Sequence, residues 1–191
     1  MRGKLLTVSA LAATLAYAVP ASATNLVTNG GFETGDFTGW TLSGNSGFTG
    51  VDNIAHSGSY GGFFGQVGST GTLSQTLGTV SGQTYTISFW LEDDGGTPSS
   101  FDASFGSSDL LALTNPDAFN YTFYSYSLTA SSASTLLSFT FRQDPAYFHL
   151  DDISVAPAGV PEPATWAMMI LGLGAAGLGL RRRKSIASAI A

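Results

Sequence analysis

The chain has 191 residues, of which 10% are charged, 12% are aromatic and 24 are glycine, and its formal net charge is −6. Cysteine is absent, which excludes a disulfide framework, a thiol nucleophile and a thiolate metal site. Bases occur only at Arg2, Lys4, Arg142, Arg181, Arg182, Arg183 and Lys184, so the centre holds one base against every acid but Glu162. A body of that sign repels a phosphate backbone, and nucleic acid is excluded as a partner.

Arg2 and Lys4 precede the apolar run 5–19, and Ala21-Ser22-Ala23 follows it. A basic start, a short apolar core and an A-x-A site, here Ala21 and Ala23, define a secretory signal peptide over 1–23. The body over 24–157 is expected to be exported.

That body shows no sustained helical period. In 83–91, Tyr85, Ile87, Phe89 and Leu91 share one face, while Thr86, Ser88 and Trp90 share the other. In 122–128, Tyr124, Tyr126 and Leu128 line up, and in 134–142, Leu137, Phe139 and Phe141 do so. Period-two patterns of this kind mark half-buried strands. Asp94-Gly95-Gly96 and Asn115-Pro116-Asp117 separate them as turns. The expected architecture is all-β, an antiparallel β-sandwich, because that is how many short strands bury a common face.

Three stretches of the body carry a family resemblance: "NLVTNGGFETGDFTGW" from Asn25, "AHSGSY" from Ala55 and "YFHLDDISVAP" from Tyr147. Together they resemble galactose-binding-like jelly rolls, which include carbohydrate-binding modules. The resemblance implies a jelly roll and a structural Ca²⁺ tying the first strand to the last. Glu33 would supply a carboxylate, Gly31 a carbonyl, His56 or Ser57 a further carbonyl, and Asp151 a second carboxylate. Calcium takes oxygens of these types. Asp152 replaces Asp151 if the register is opposite, since neighbouring side chains of a strand point to opposite faces. The alternative is that Glu33 and Asp151 are solvated strand ends. No organic cofactor is implied.

A sugar site needs an aromatic platform beside polar groups. Trp90, placed with Thr86 and Ser88 and off the core set, is the first candidate, with Tyr124 and Tyr126 beside it and Tyr121 and Tyr147 as further rings. The alternative for Trp90 is burial against a neighbouring loop or sheet. Trp40 is assigned to the core by its position in the first motif. The acidic run Glu92-Asp93-Asp94-Gly95-Gly96 reads as a solvated hairpin tip, with a second cation loop as the alternative. No G-x-S-x-G, no H-E-x-x-H and no cysteine is present, and the two histidines are isolated, so no catalytic residue is assigned.

The final segment, 158–191, holds Pro161-Glu162-Pro163, Trp166-Ala167, an uncharged stretch over 164–180, and Arg181-Arg182-Arg183. The uncharged stretch approaches the length of a membrane-spanning helix, and the bases after it hold that end in the cytoplasm. These parts, in this order, resemble the PEP-CTERM sorting signal in its PEPxxWA variant. The resemblance implies an exosortase, a membrane-embedded cysteine transpeptidase-like enzyme, as partner. The inner membrane would anchor the chain until processing delivers it to the cell surface or outside. The expected function is a non-enzymatic surface or matrix protein that binds or sits in exopolysaccharide. A surface protein with no ligand and a small polysaccharide hydrolase are the alternatives.

Overall fold

A computed structural model of the chain describes residues 24–144, 146–158 and 170–172. The signal peptide and nearly all of the sorting tail, including Pro161, Glu162, Pro163, Trp166, Ala167 and Arg181 to Arg183, lie outside the described residues.

Ten strands follow one another: β1 (Thr41–Gly44), β2 (Thr49–Asp52), β3 (Gly61–Phe64), β4 (Gly71–Gly78), β5 (Thr84–Asp93), β6 (Ser99–Phe105), β7 (Ser108–Thr114), β8 (Phe119–Thr129), β9 (Ser134–Gln143) and β10 (Phe148–Pro157). They form two five-stranded antiparallel sheets, in the orders β1-β4-β9-β6-β7 and β2-β3-β10-β5-β8. The second is called here the Trp90 sheet, after the residue that β5 carries on its outer face. The expected sandwich is present, and the three alternating stretches lie on β5, β8 and β9.

Alternation dictates what is buried. The inward residues of β5 and β9, Ile87, Phe89, Leu91, Leu137, Phe139 and Phe141, are fully buried. Between the sheets, Phe64 and Phe141 stack with centroids 3.9 Å apart and planes at 4°, and Phe101 meets Phe139, Phe141 and Phe148. Aromatic rings bury large apolar areas, so this Phe-rich interior supplies most of the driving force for a body with few charges.

The first motif forms a loop that closes on itself and on β10. Asn29 turns through a φ of 54° and donates to the carbonyls of Asp36 (2.9 Å) and Thr38 (3.1 Å). The Trp40 indole N–H donates to the Asn29 carbonyl at 3.1 Å, and its ring packs on the core as expected. The segment then runs beside β10: the Leu26 N–H donates to the Val155 carbonyl (2.8 Å) and the Ile153 N–H to the Gly30 carbonyl (2.9 Å). At Gly30 a Cβ would stand 2.1 Å from the Ile153 oxygen, so no side chain fits there.

β10 contains the irregularity that matters most. Its register against β5 passes from Asp151↔Trp90 to Ser154↔Ser88, placing two residues opposite one. Asp152, at φ 49°, is the extra residue of this bulge. Phe148, Leu150, Ile153 and Val155 therefore all point inward, and Asp151 and Asp152 both stand on the outer side. The expectation that these two carboxylates occupy opposite faces is corrected by the bulge.

Candidate functional site

The outer face of the Trp90 sheet is covered in part by the segment 53–60, which connects β2 to β3. Two carboxylates hold that segment. Asp151, fully buried, accepts the backbone N–H groups of His56 (2.8 Å) and Ser57 (3.1 Å) on one oxygen and that of Asp152 (2.7 Å) on the other. Glu33 accepts the N–H groups of Ser59 (2.9 Å) and Tyr60 (3.1 Å). Asp152 completes the clamp through its side chain, meeting His56 Nδ1 and accepting from Ser57 Oγ, both at 2.7 Å.

Gly31, Glu33, His56 and Asp151, the residues implied to bind calcium, are therefore brought to one region, with a Cβ on Gly31 falling 3.5 Å from Asp151 Oδ1. As arranged they do not fit a calcium ion. The Asp151 and Glu33 oxygens that would ligate the ion are instead engaged by backbone N–H donors. Among the described residues no group of three or more His, Asp or Glu side chains is placed to hold a metal. Desolvation raises the pKa of Asp151 and outweighs the lowering effect of its amide partners.

Above the clamp lies an aromatic cluster. His56 stacks on Trp90, centroids 3.6 Å apart and planes at 13°, and Tyr121 meets the His56 ring edge-on at 5.6 Å. Phe123, 53% exposed, lies 5.2 Å from Trp90, and the Tyr121 hydroxyl donates to the Ile54 carbonyl at 3.1 Å. Trp90 is on the outer face, as its alternation requires, but His56 covers one side of its ring. Tyr124 and Tyr126 are not with it. They occupy the opposite face of β8, stacked on Phe89 at 5.5 and 6.3 Å. Trp90, Tyr124 and Tyr126 thus form no common platform.

One step along β5 and β10 from Trp90, a cleft of ≈ 240 Å³ opens, lined by Asp52, Ile54, Phe63, Asp94, Tyr147 and His149. Phe63 and Tyr147 meet edge to face at 5.6 Å. Tyr147 is fixed at its backbone, where its carbonyl accepts the Asp94 N–H at 3.0 Å, and its ring lies where a Gly65 Cβ would be. His149 is 3% exposed, with Nε2 3.4 Å from Asp94 Oδ2 and Nδ1 without a partner. Rings, hydroxyl, carboxylates and a nearly buried imidazole converge here, which is the composition of a small polar-ligand site.

Sequence reasoning named Tyr147 among several rings, weighed Asp94 and His149 without giving them a sugar-binding role, and passed over Asp52 and Phe63. The acidic run is also divided. Asp94 is exposed at the cleft, whereas Asp93 is 1% exposed and accepts from the Gln143 side chain, and the run crosses between sheets rather than closing a hairpin. The outer face of the other sheet is different in kind. It presents small hydroxyl side chains, with Thr72 and Thr140 oxygens 3.2 Å apart, and Arg142 paired with Asp144 at 3.0 Å.

With this geometry in hand, residues 24–148 match the sequence model described as "Carbohydrate binding domain", well over half of the chain. The chain belongs to the carbohydrate binding domain family. Residues 159–184 match the PEP-CTERM protein-sorting motif. No curated protein matches the chain. Among solved structures, TmCBM61 in complex with β-1,4-galactotriose is similar at a TM-score of 0.56 and 20% identity, over 71% of this chain and 100% of that one. The CBM22-1 and GH10 modules of a Clostridium thermocellum endo-1,4-β-D-xylanase, complexed with xylohexaose, give 0.55 and 19%, over 72% and 29%. The CBM22-1 xylan-binding domain from Paenibacillus barcinonensis gives 0.52 and 16%, over 74% and 99%. At these identities the likeness is one of fold, a two-sheet jelly roll.

Proposed function

We propose that this protein is an exported, exosortase-sorted surface protein that holds extracellular polysaccharide without cleaving it. Membership in the carbohydrate binding domain family is the observation that carries the reading, and the sorting motif at 159–184 supports its surface destination. The galacto- and xylo-oligosaccharides in the similar structures are consistent with a glycan as ligand. The signal peptide delivers the body outside, the tail holds it at the inner membrane, and exosortase processing near Pro161-Glu162-Pro163 frees it for the surface.

Within the body we assign sugar binding to the cleft at His149. The Tyr147 and Phe63 rings offer apolar faces against which a pyranose packs, and Asp52, Asp94 and His149 offer partners for its hydroxyls. Trp90, covered by His56, supports the cleft wall. No reaction is assigned to these groups. The test is co-sedimentation of the full chain, in a detergent without a sugar headgroup, with the host's own exopolysaccharide. The full chain is expected in the pellet, and Tyr147→Ala should weaken binding about tenfold, equivalent to about 1.4 kcal/mol. A full chain that stays in the supernatant would leave a surface protein with no ligand.

A further inference from the structure

Among the described residues the cleft at His149 is lined by carboxylates and by no lysine or arginine. Asp52 and Asp94 line it, and Glu92 pairs with His149 across the β5–β10 ladder. The neighbouring Tyr121 phenol reports the same field: its pKa is raised first by burial and then by Asp151, Glu92, Asp52 and Asp152. Arg142, the body's one base, sits on β9 of the other sheet and is engaged by Asp144. In addition, His149 is nearly fully buried at the cleft wall, with its Nε2 3.4 Å from Asp94 Oδ2.

Resting on the glycan-binding reading above, we propose that this cleft selects a sugar carrying a free, protonated amine, a deacetylated hexosamine unit, over neutral and acidic sugars. An ammonium between Asp52 and Asp94 forms charge-assisted hydrogen bonds, which are about twice as strong as neutral ones. The ring's apolar face packs on Tyr147 or Phe63. N-acetylation removes the charge that the carboxylates attract and adds a group to a cleft of only ≈ 240 Å³, below the size that takes a drug-sized molecule. A uronate brings a negative charge into a negative field and is repelled.

Calorimetric titration of the full chain at low salt, in the same detergent, tests this with oligomers of matched length. The probes are glucosamine, N-acetylglucosamine, glucose and galacturonate oligomers, with oligolysine as a non-sugar cation. The glucosamine oligomer is expected to bind at least about tenfold tighter than the acetylated or neutral ones, and its affinity should fall with added salt. That advantage should vanish in the Asp52→Asn/Asp94→Asn double variant. It should vanish equally in the unaltered protein once the pH is high enough to neutralise the sugar amine, which separates charge recognition from misfolding. Neutral oligomers binding as tightly as glucosamine would overturn amine selectivity and leave glycan binding standing. Oligolysine binding as tightly would overturn it too, since the face would then read charge and not sugar. Failure of every oligomer and of the host polysaccharide would overturn both readings.

Discussion

Single residues show most clearly how this sandwich distributes its charges. Asp93 lies on the inward phase of β5, where desolvation raises its pKa above the ordinary carboxylate value despite hydrogen bonds from Gly95 and Gln143. Asp151 is raised for the same first reason. A carboxyl whose native pKa exceeds its unfolded one holds a proton in the fold at a pH where the unfolded chain has lost it. Its stabilising contribution is complete below about pH 4 and is lost as the pH climbs through the raised native value. Melting temperature should therefore fall between about pH 4 and neutrality. Asp93→Asn, which cannot ionise, should flatten that slope and raise the neutral-pH melting temperature by about 2–5 °C. Thermal denaturation across pH checks it, and an unchanged slope would mean that Asp93 does not titrate in the native protein. Nothing in the sequence distinguished Asp93 from Glu92 and Asp94, because strand phase at the end of β5 decides which carboxylate turns inward.

At the scale of elements, the segment 53–60 is the part whose hold on the body is least expected from its composition. It is pinned by Glu33, Asp151 and Asp152, and each uses carboxylate oxygens on N–H or side-chain donors. The resemblance to jelly rolls located these residues correctly in space, because the motifs that contain them meet at the β10 end. It did not convey their arrangement. Alternation was read straight through β10, whereas the bulge at Asp152 puts two acids on one face, and a bulge leaves no trace in a hydrophobic pattern. As arranged, the clamp is closed by carboxylates accepting from N–H and side-chain donors. Asp151→Asn should lower the melting temperature of the full chain by about 5–10 °C, because its NH2 would face one set of the backbone N–H groups that the two carboxyl oxygens now accept and leave a buried donor unsatisfied, at about 1–3 kcal/mol. A strong calcium chelator should leave it unchanged in differential scanning calorimetry. A chelator-induced drop would show that an ion joins the carboxylates and displaces the amides.

For the whole molecule, the two sheets divide the work. Their inner faces share one Phe-rich core, and this division was readable from alternation alone in β5, β8 and β9. The outer faces were not readable, since they depend on which loop folds over which sheet. The segment 53–60 turned Trp90 from an open ring into a covered one, and the meeting of β2, β3, β5 and β10 made a cleft from residues distant in sequence. The other sheet presents hydroxyls, Asp102 and the Arg142–Asp144 pair. The sorting motif matched at 159–184, by contrast, is a linear signal that needs no fold to be read.

The central claim is that a glycan occupies the cleft at His149 on the Trp90 sheet. The most direct measurement is two-dimensional NMR of the isotopically labelled full chain during titration with an oligosaccharide that binds it. The account predicts progressive shifts at Asp52, Phe63, Asp94, Tyr147 and His149, with little change at Thr72, Thr140 and Arg142. Shifts confined to Thr72, Thr140 and Arg142 would contradict it and move the binding site to the opposite sheet.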